Sequence, residues 1–319
     1  MTICRRCTVI GAANIDIGGF PFTDALPGDS TPGRICLSAG GVGRNIAANL
    51  ARMSGPELPV GVRLITALGG DAFADFLRSD LAGAKVSLDC ACTFDDAASS
   101  VYLFITDPAG DMRLAVNDMD ICARLTPDRL LRHLDVINAS DAVIIDANLP
   151  SATLEWLAER SLAPLTADAV SAVKARKLLP LLPKLKAVKA NAVEAEALTG
   201  LPAHDADGAG KQALRLVELG AKRAFITLGT RGTCWAEGGR FGIVPALRTR
   251  AVNSTGAGDA FTAAIVWGDL YGLDAPNTAV AGNAAASVSV ESPETVSPAM
   301  SPSELLRRIA AIAKDLPVN

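Results

Sequence analysis

The run Asn253-Ser254-Thr255-Gly256-Ala257-Gly258-Asp259-Ala260-Phe261 joins a turn almost bare of side chains to a single carboxylate. Small residues continue over Ala260–Leu270 and read as a helix. Backbone N–H groups of Gly256, Ala257 and Gly258 can converge at the positive end of that helix and hold a phosphoryl group in transfer. Asp259 would accept the proton of a hydroxyl lined up with the phosphorus. Its pKa need not rise far, because the hydroxyl turns acidic only in the transition state. No G-K-[ST] follows the glycines, so the turn is not a Walker loop. A glycine-rich turn capped by Asp at a helix start is the structural alternative.

A second constellation lies near the other end. Asn14-Ile15-Asp16 follows the first apolar run, and Gly40-Gly41-Val42-Gly43-Arg44-Asn45 opens the first helical stretch. Carboxylate and amide groups at strand ends can grip vicinal hydroxyls through paired hydrogen bonds, as sugars require. Glycines let such a ligand approach the backbone. Asn14, Asp16, Gly40, Gly41 and Asn45 are therefore candidate substrate contacts, with two ordinary loop turns as the alternative. Arg44 reads as surface charge on the first helix.

These residues must be positioned by the elements around them. Cys7–Gly11, Arg63–Ala67, Ala142–Asp146, Pro164–Asp168, Leu185–Lys189 and Arg223–Leu228 are apolar enough for strands buried on both faces. Asn45–Met53, Asp71–Ala82, Pro127–Ala139, Thr153–Glu159, Glu194–Thr199 and Ala209–Leu219 read as the helices between them. Thr126-Pro127 and Ser301-Pro302 each set a capping residue before Pro at a first helical position. Repeated strand–helix–strand units imply right-handed crossovers, a mainly parallel sheet, and ligands gathered beyond its carboxyl ends. Ile17–Ser38 and Ser99–Val116 break the rhythm with extended pieces and no helix. Over about 17–38 and 99–118 they are expected to form a small β lid on one domain spanning 1–319. An apolar Ser99–Ile105 lid strand with an unpaired edge would favour a lid-to-lid homodimer.

Composition narrows the partners. Half of the 319 residues are apolar, 4% are aromatic, and the formal charge is −4, which disfavours nucleic-acid and anionic-membrane partners. The seven cysteines are scattered and suit reduced core thiols. Cys4–Cys7 has the spacing of half a zinc site, but no second ligand pair follows. The start carries Arg5 and Arg6 without an apolar run of signal-peptide length, and no stretch approaches the roughly 20 apolar residues of a membrane span. A cytoplasmic protein acting on a small molecule is the expectation.

The Asn253–Phe261 run resembles the carboxyl-terminal signature of the ribokinase-like, or PfkB, carbohydrate kinases. The resemblance implies a three-layer α/β sandwich with a mainly parallel central sheet, an anion hole at Gly256, Ala257 and Gly258, and Asp259 as catalytic base. It implies ATP and Mg²⁺ as cofactors. Thr227-Leu228-Gly229-Thr230-Arg231-Gly232 is similar to the family's nucleotide-binding turn, placing Thr227, Gly229 and Gly232 near ATP, with Thr255 beside them. Asn191-Ala192-Val193-Glu194 matches the family's N-x-x-E motif. At a strand end, Asn191 and Glu194 lie one helical turn apart and could hold magnesium through its waters. For Glu194, stabilising a helix N-terminus is the alternative, and Lys189 just before it reads as solvated surface. Asn283 stands where the family often lines the adenine pocket. Asn253 replaces an Asp that the family often uses near an activating monovalent cation, which leaves a K⁺ site open.

Within the family the phrases GDSTPGRICLSAGGVGRNIAANLARM, SSVYLFI, LAVNDMDI, DANLP and KANAVEAEALTG resemble pseudouridine kinases. That implies transfer to a ribose 5′-hydroxyl, with Asp16 and Asn45 on the 2′- and 3′-hydroxyls. Asn117 and Asp118 on the lid could read the uracil edge, with Ser30 and Thr31 behind them, and Asn148 could face either substrate or nucleotide. Another nucleoside, a free sugar such as ribose or fructose, and a nucleoside sensor without turnover are the competing readings.

Overall fold

A computed structural model describes residues 4–26 and 28–315. Pro27, inside the expected 17–38 segment, and residues 1–3 and 316–319 of the expected 1–319 span lie outside the described residues. Among the described residues, nine strands form the main sheet, in the spatial order Val86–Ser87, Val60–Ile65, Arg5–Ile10, Ala142–Asp146, Leu165–Asp168, Leu185–Asn191, Arg223–Thr227, Thr233–Glu237 and Arg240–Val244. The first seven run parallel and the last two close the sheet as an antiparallel hairpin.

Period-two alternation explains why the parallel strands contain so little polarity. Cys7, Val9, Leu64 and Ile144 enter one core, while Ile10, Ile65, Val143 and Ile145 enter the other. Helices Val42–Arg52, Ala257–Leu270 and Ala275–Val290 cover the first face; Ser151–Arg160 and Ala206–Glu218 cover the second. This is the expected three-layer sandwich. Asp71, Asp205 and Asp274 each cap a helix by accepting a backbone N–H of its first turn.

The main domain departs from the expected elements in two places. The Pro127–Ala139 helix is two short helices, Pro127–Leu131 and Leu134–Asn138, separated where His133 leaves helical geometry at φ −109°. Leu130 and Ile137 are their buried residues, so little packing holds one longer helix together. The Thr233–Val244 hairpin was not expected, although Gly238 (φ 57°) and Gly239 (φ 77°) supply the two left-handed residues that a tight hairpin turn needs.

A separate four-stranded sheet has the order Gly33–Gly40, Asn14–Pro21, Val101–Thr106 and Met112–Asp118. Its two middle strands are parallel and each outer strand is antiparallel to its neighbour. The expected unpaired edge at Ser99–Ile105 is absent, because that strand is flanked on both sides; the edges are Gly33–Gly40 and Met112–Asp118. Among the described residues, no helix is long and apolar enough to cross a membrane.

The small sheet hands the chain to the first helix through Gly41. Its φ is 96°, and a Cβ there would fall 2.5 Å from the Ala12 carbonyl oxygen. Both the dihedral and the contact demand glycine. Gly41→Ala is expected to lower the thermal midpoint by several degrees, read by circular dichroism against Gly83→Ala, where a Cβ meets open space.

Candidate active site

Gly256 precedes the Ala257–Leu270 helix at φ 84°, and a Cβ on it would collide with the Thr295 carbonyl oxygen. The chain can therefore turn sharply and present the first N–H groups of a 14-residue helix to a cleft. A cavity of about 450 Å³ adjoins this helix end, lined in part by Thr227, Gly229, Gly232, Ala257, Gly258 and Asn283. Its volume suits a nucleotide-sized ligand. Thr255 is exposed outside that lining, its N–H tied to Asn253 Oδ1 at 2.9 Å. The Asn253 amide donates to the Pro293 carbonyl at 3.1 Å.

Asp259, in the first turn, receives a hydrogen bond from Asn45 Nδ2 to Oδ2 at 2.8 Å. This contact joins two segments 214 residues apart, and it brings the glycine-turn carboxylate to the first helix. Burial pushes the Asp259 carboxyl up to about 7, Asp168 and Asp146 add to the rise, and Lys189 and the Asn45 amide oppose it.

Lys189 is not the solvated surface residue that its type suggests. It is 6% exposed, its Nζ lies 3.3 Å from Asp168 Oδ2, and a Cβ on Gly258 would sit 2.7 Å from that Nζ. Burial alone would lower its pKa, but Asp168, Glu194 and Asp259 outweigh burial and hold the ammonium above its ordinary value. Thr262 donates to the same Asp168 oxygen at 2.6 Å. Asp168 and Thr262, both buried, enter the sequence reading only as parts of a strand and a helix, as does Asp146, which accepts from Ala12 N–H at 2.8 Å. The signal available was position: Asp146 and Asp168 end adjacent parallel strands, where ligands of such sheets collect.

Asn191 and Glu194 form a reciprocal capping box on the Ala192–Thr199 helix. Both Glu194 oxygens accept from Asn191, one from its backbone and one from its amide, each at 2.8 Å. Burial raises the Glu194 pKa and Lys189 opposes the rise. A carboxylate held this way can meet a cation through water, using its remaining lone pairs. Among the described residues, no group of three or more His, Cys, Asp or Glu side chains is gathered to bind a metal.

Asn283 lines the cavity, yet its side chain is fully engaged: it accepts from Thr233 at 2.7 Å and donates to the Val244 and Pro245 carbonyls at 3.0 Å. It braces the cavity wall. Asn148 accepts from Lys174 Nζ at 2.6 Å.

On the small sheet, Asn14 Nδ2 donates to Asp16 Oδ1 at 2.6 Å. A Cβ on Gly40 would fall 2.3 Å from Asp16 Oδ2, so Gly40 makes room for that carboxylate. Burial raises the Asp16 pKa, countered by Asn14 and by the Arg44 charge. Register pairs Asp16 with Tyr102 and Tyr102 with Asn117, which puts Asn117 on the Asp16 face. Asp118 pairs with Val101, opposite Ile15, and so belongs to the other face; one-residue alternation separates the two neighbours. Phe20 and Phe104 pack edge-to-face at 5.8 Å over Gly18, and Tyr102 lies 6.0 Å from Phe104, all on the Asp16 face. Sequence reasoning passed over these rings because each looked like routine strand filling. Ser30 and Thr31 lie in the loop between Asn14–Pro21 and Gly33–Gly40.

The model of the pfkB family carbohydrate kinases matches residues 5–302. The chain belongs to this family. The pfkB-family chain is 30% identical to a pseudouridine kinase of Escherichia coli over 259 residues, 81% of each protein. A carbohydrate kinase from Agrobacterium tumefaciens superimposes with a TM-score of 0.84 at 31% identity, covering 96% of this chain and 97% of its own. The fold of Arabidopsis thaliana ribokinase, solved with ribose and ATP, superimposes at 0.83, covering 96% and 99%, with 20% identity. The ribokinase-like architecture and the phosphotransferase class are thereby established for this pfkB-family member.

The raised Asp259 pKa links to stability. Folded protein binds this proton more tightly than the unfolded chain, whose value is the ordinary 3.8. The contribution is fully present below 3.8 and is lost as pH climbs through about 7. Asn mimics the protonated carboxyl without that loss. Asp259→Asn should therefore raise the thermal midpoint of the ligand-free protein more at pH 8 than at pH 5, in paired melting curves.

Proposed function

We propose that this kinase transfers the γ-phosphoryl group of ATP to the 5′-hydroxyl of pseudouridine, giving pseudouridine 5′-phosphate and ADP. The Asn45–Asp259 hydrogen bond carries the reading, because it sets a carboxylate with a near-neutral pKa between a helix N-terminus and a cluster suited to sugar hydroxyls. Asp259 takes the proton of the 5′-hydroxyl as its oxygen attacks phosphorus in line. N–H groups of Gly256, Ala257 and Gly258 meet the growing equatorial charge, with the Lys189 ammonium against the same turn. Asp16 and Asn45 hold ribose hydroxyls, and Thr227, Gly229 and Gly232 border the ATP cavity. Glu194 and Asn191 would hold Mg²⁺ through its waters; the ion, when bound, neutralises β- and γ-phosphate charge.

A nucleoside is favoured over a free sugar by Phe20, Tyr102, Phe104 and Asn117, which give the Asp16 face of the small sheet flat rings and an amide for a uracil. The sheet would act as a lid that excludes water. Its other face carries exposed Ile35, Leu37, Leu103, Leu114 and Val116, an apolar surface that a second copy's lid would cover in a homodimer.

With pseudouridine, ADP release should exceed that with uridine or ribose by about tenfold or more; faster turnover of ribose would overturn the acceptor assignment. Asp259→Asn should bind ATP normally and lose about 10²- to 10⁴-fold in kcat. Light scattering at micromolar protein should give a dimer that Leu114→Asp converts to monomer, whereas monomeric wild type would exclude the lid interface.

A further inference from the structure

Asn45 offers Asp259 a choice of two amide ends, and only one is useful. Its nitrogen supports an ionised carboxylate; its oxygen would repel one. The deciding contact is Arg44 Nη1, which donates to Asn45 Oδ1 at 2.9 Å and so turns Nδ2 toward Asp259. Arg44 is itself pinned. It is 6% exposed, its Nε donates to Asp80 Oδ2 at 2.9 Å, its Nη2 donates to the same oxygen, and its Nη1 also reaches the Ala39 carbonyl at 3.3 Å. Asp80 sits on another helix, Ala72–Gly83, and among the described residues no hydrogen bond or ion pair joins it to Asp259.

We infer that the Arg44–Asp80 pair, with its guanidinium buried and its carboxylate part-exposed, is a positioning device that locks the Asn45 amide in the orientation needed by the catalytic carboxylate. Neither residue touches reacting atoms. The chain of contacts runs Asp80 to Arg44, Arg44 to Asn45, and Asn45 to Asp259, each link holding the next in one orientation. An Arg fork suits the task, since it bonds a carboxylate and an amide oxygen at once; a Lys ammonium lacks that planar geometry.

The sign of the effect is fixed by what surrounds Asp259. Burial above all, then Asp168 and Asp146 from the strands beneath, raise its pKa; Lys189 from the neighbouring strand and the Asn45 amide from the first helix lower it. Freeing the Asn45 amide removes one of the two lowering influences, so the Asp259 midpoint moves up.

The inference rests on the kinase reading only for its kinetic half. The test compares wild type, Arg44→Lys, Asp80→Asn, Asn45→Ala and Arg44→Lys/Asn45→Ala, each checked by melting curve. The Asp259 titration is followed through ¹³C-labelled aspartate carboxyl shifts in ligand-free protein, assigned by its loss in Asp259→Asn. Arg44→Lys and Asp80→Asn should each raise the Asp259 midpoint by about one pH unit. In the Asn45→Ala background, Arg44→Lys should add nothing, since the relay is already cut. With the acceptor that the panel identifies, the acid limb of kcat should move in parallel while KM for ATP holds. Unmoved midpoints in both single variants, or a full additional shift in the double variant, would overturn the relay. A chain that turns over no acceptor but shows the expected titrations would overturn the kinase reading and leave the relay standing.

Discussion

Three carboxylates, Asp146, Asp168 and Asp259, converge near the carboxyl ends of the central strands, and one buried ammonium, Lys189, lies among them. Buried charges of one sign cannot accumulate without a counter-charge or a shared proton. Lys189 is held against Asp168, Asp259 is pushed toward neutrality, and Asp146 is satisfied by backbone N–H groups. The rest of the site follows from that balance. A Cβ on Gly258 would displace the ammonium, and Thr262 donates its hydroxyl to Asp168.

The central sheet makes this concentration possible. Parallel strands end together, so Asp146 and Asp168 arrive at one level, and Lys189 pairs in register with Asp168. The helix starting at Ala257 then brings Asp259 over them, and the helix starting at Val42 brings Asn45 to meet it. Arg44, a surface-like charge in sequence, becomes structural because its buried guanidinium bridges the first helix to Asp80 on Ala72–Gly83.

Much of this was legible in residue order. Apolar runs marked six of the main-sheet strands to within a few residues, since burial on both faces leaves a continuous pattern; the edge strand Val86–Ser87 and the closing hairpin lack it. The glycine turn and Asp259 were legible because helix-end chemistry depends on neighbours along the chain. What stayed hidden depends on pairing across the fold. Lys189 looks like surface until Asp168 is placed beside it; that Asn283, which lines the cavity, is also held by Thr233 and two carbonyls shows only in the fold. Asp118 was grouped with Asn117 because adjacency in sequence conceals that a strand sends neighbours to opposite faces. The Pro127–Ala139 stretch had good start signals but too few buried anchors for one helix.

Gly11 has no space for a side chain: a Cβ would lie 2.2 Å from Asp146 Oδ2, and the next residue's N–H is bound to that same oxygen. The root of the small sheet is thus riveted to the floor of the main one, and Asn14 and Asp16 follow directly after. Farther along the same strand, Gly18 and Gly19 stand in tandem, the least stiff pair available to a β-strand. The two ends of this strand are thus anchored differently, its root by the main sheet through Asp146 and its outer half by the Phe20 and Phe104 rings that close over Gly18.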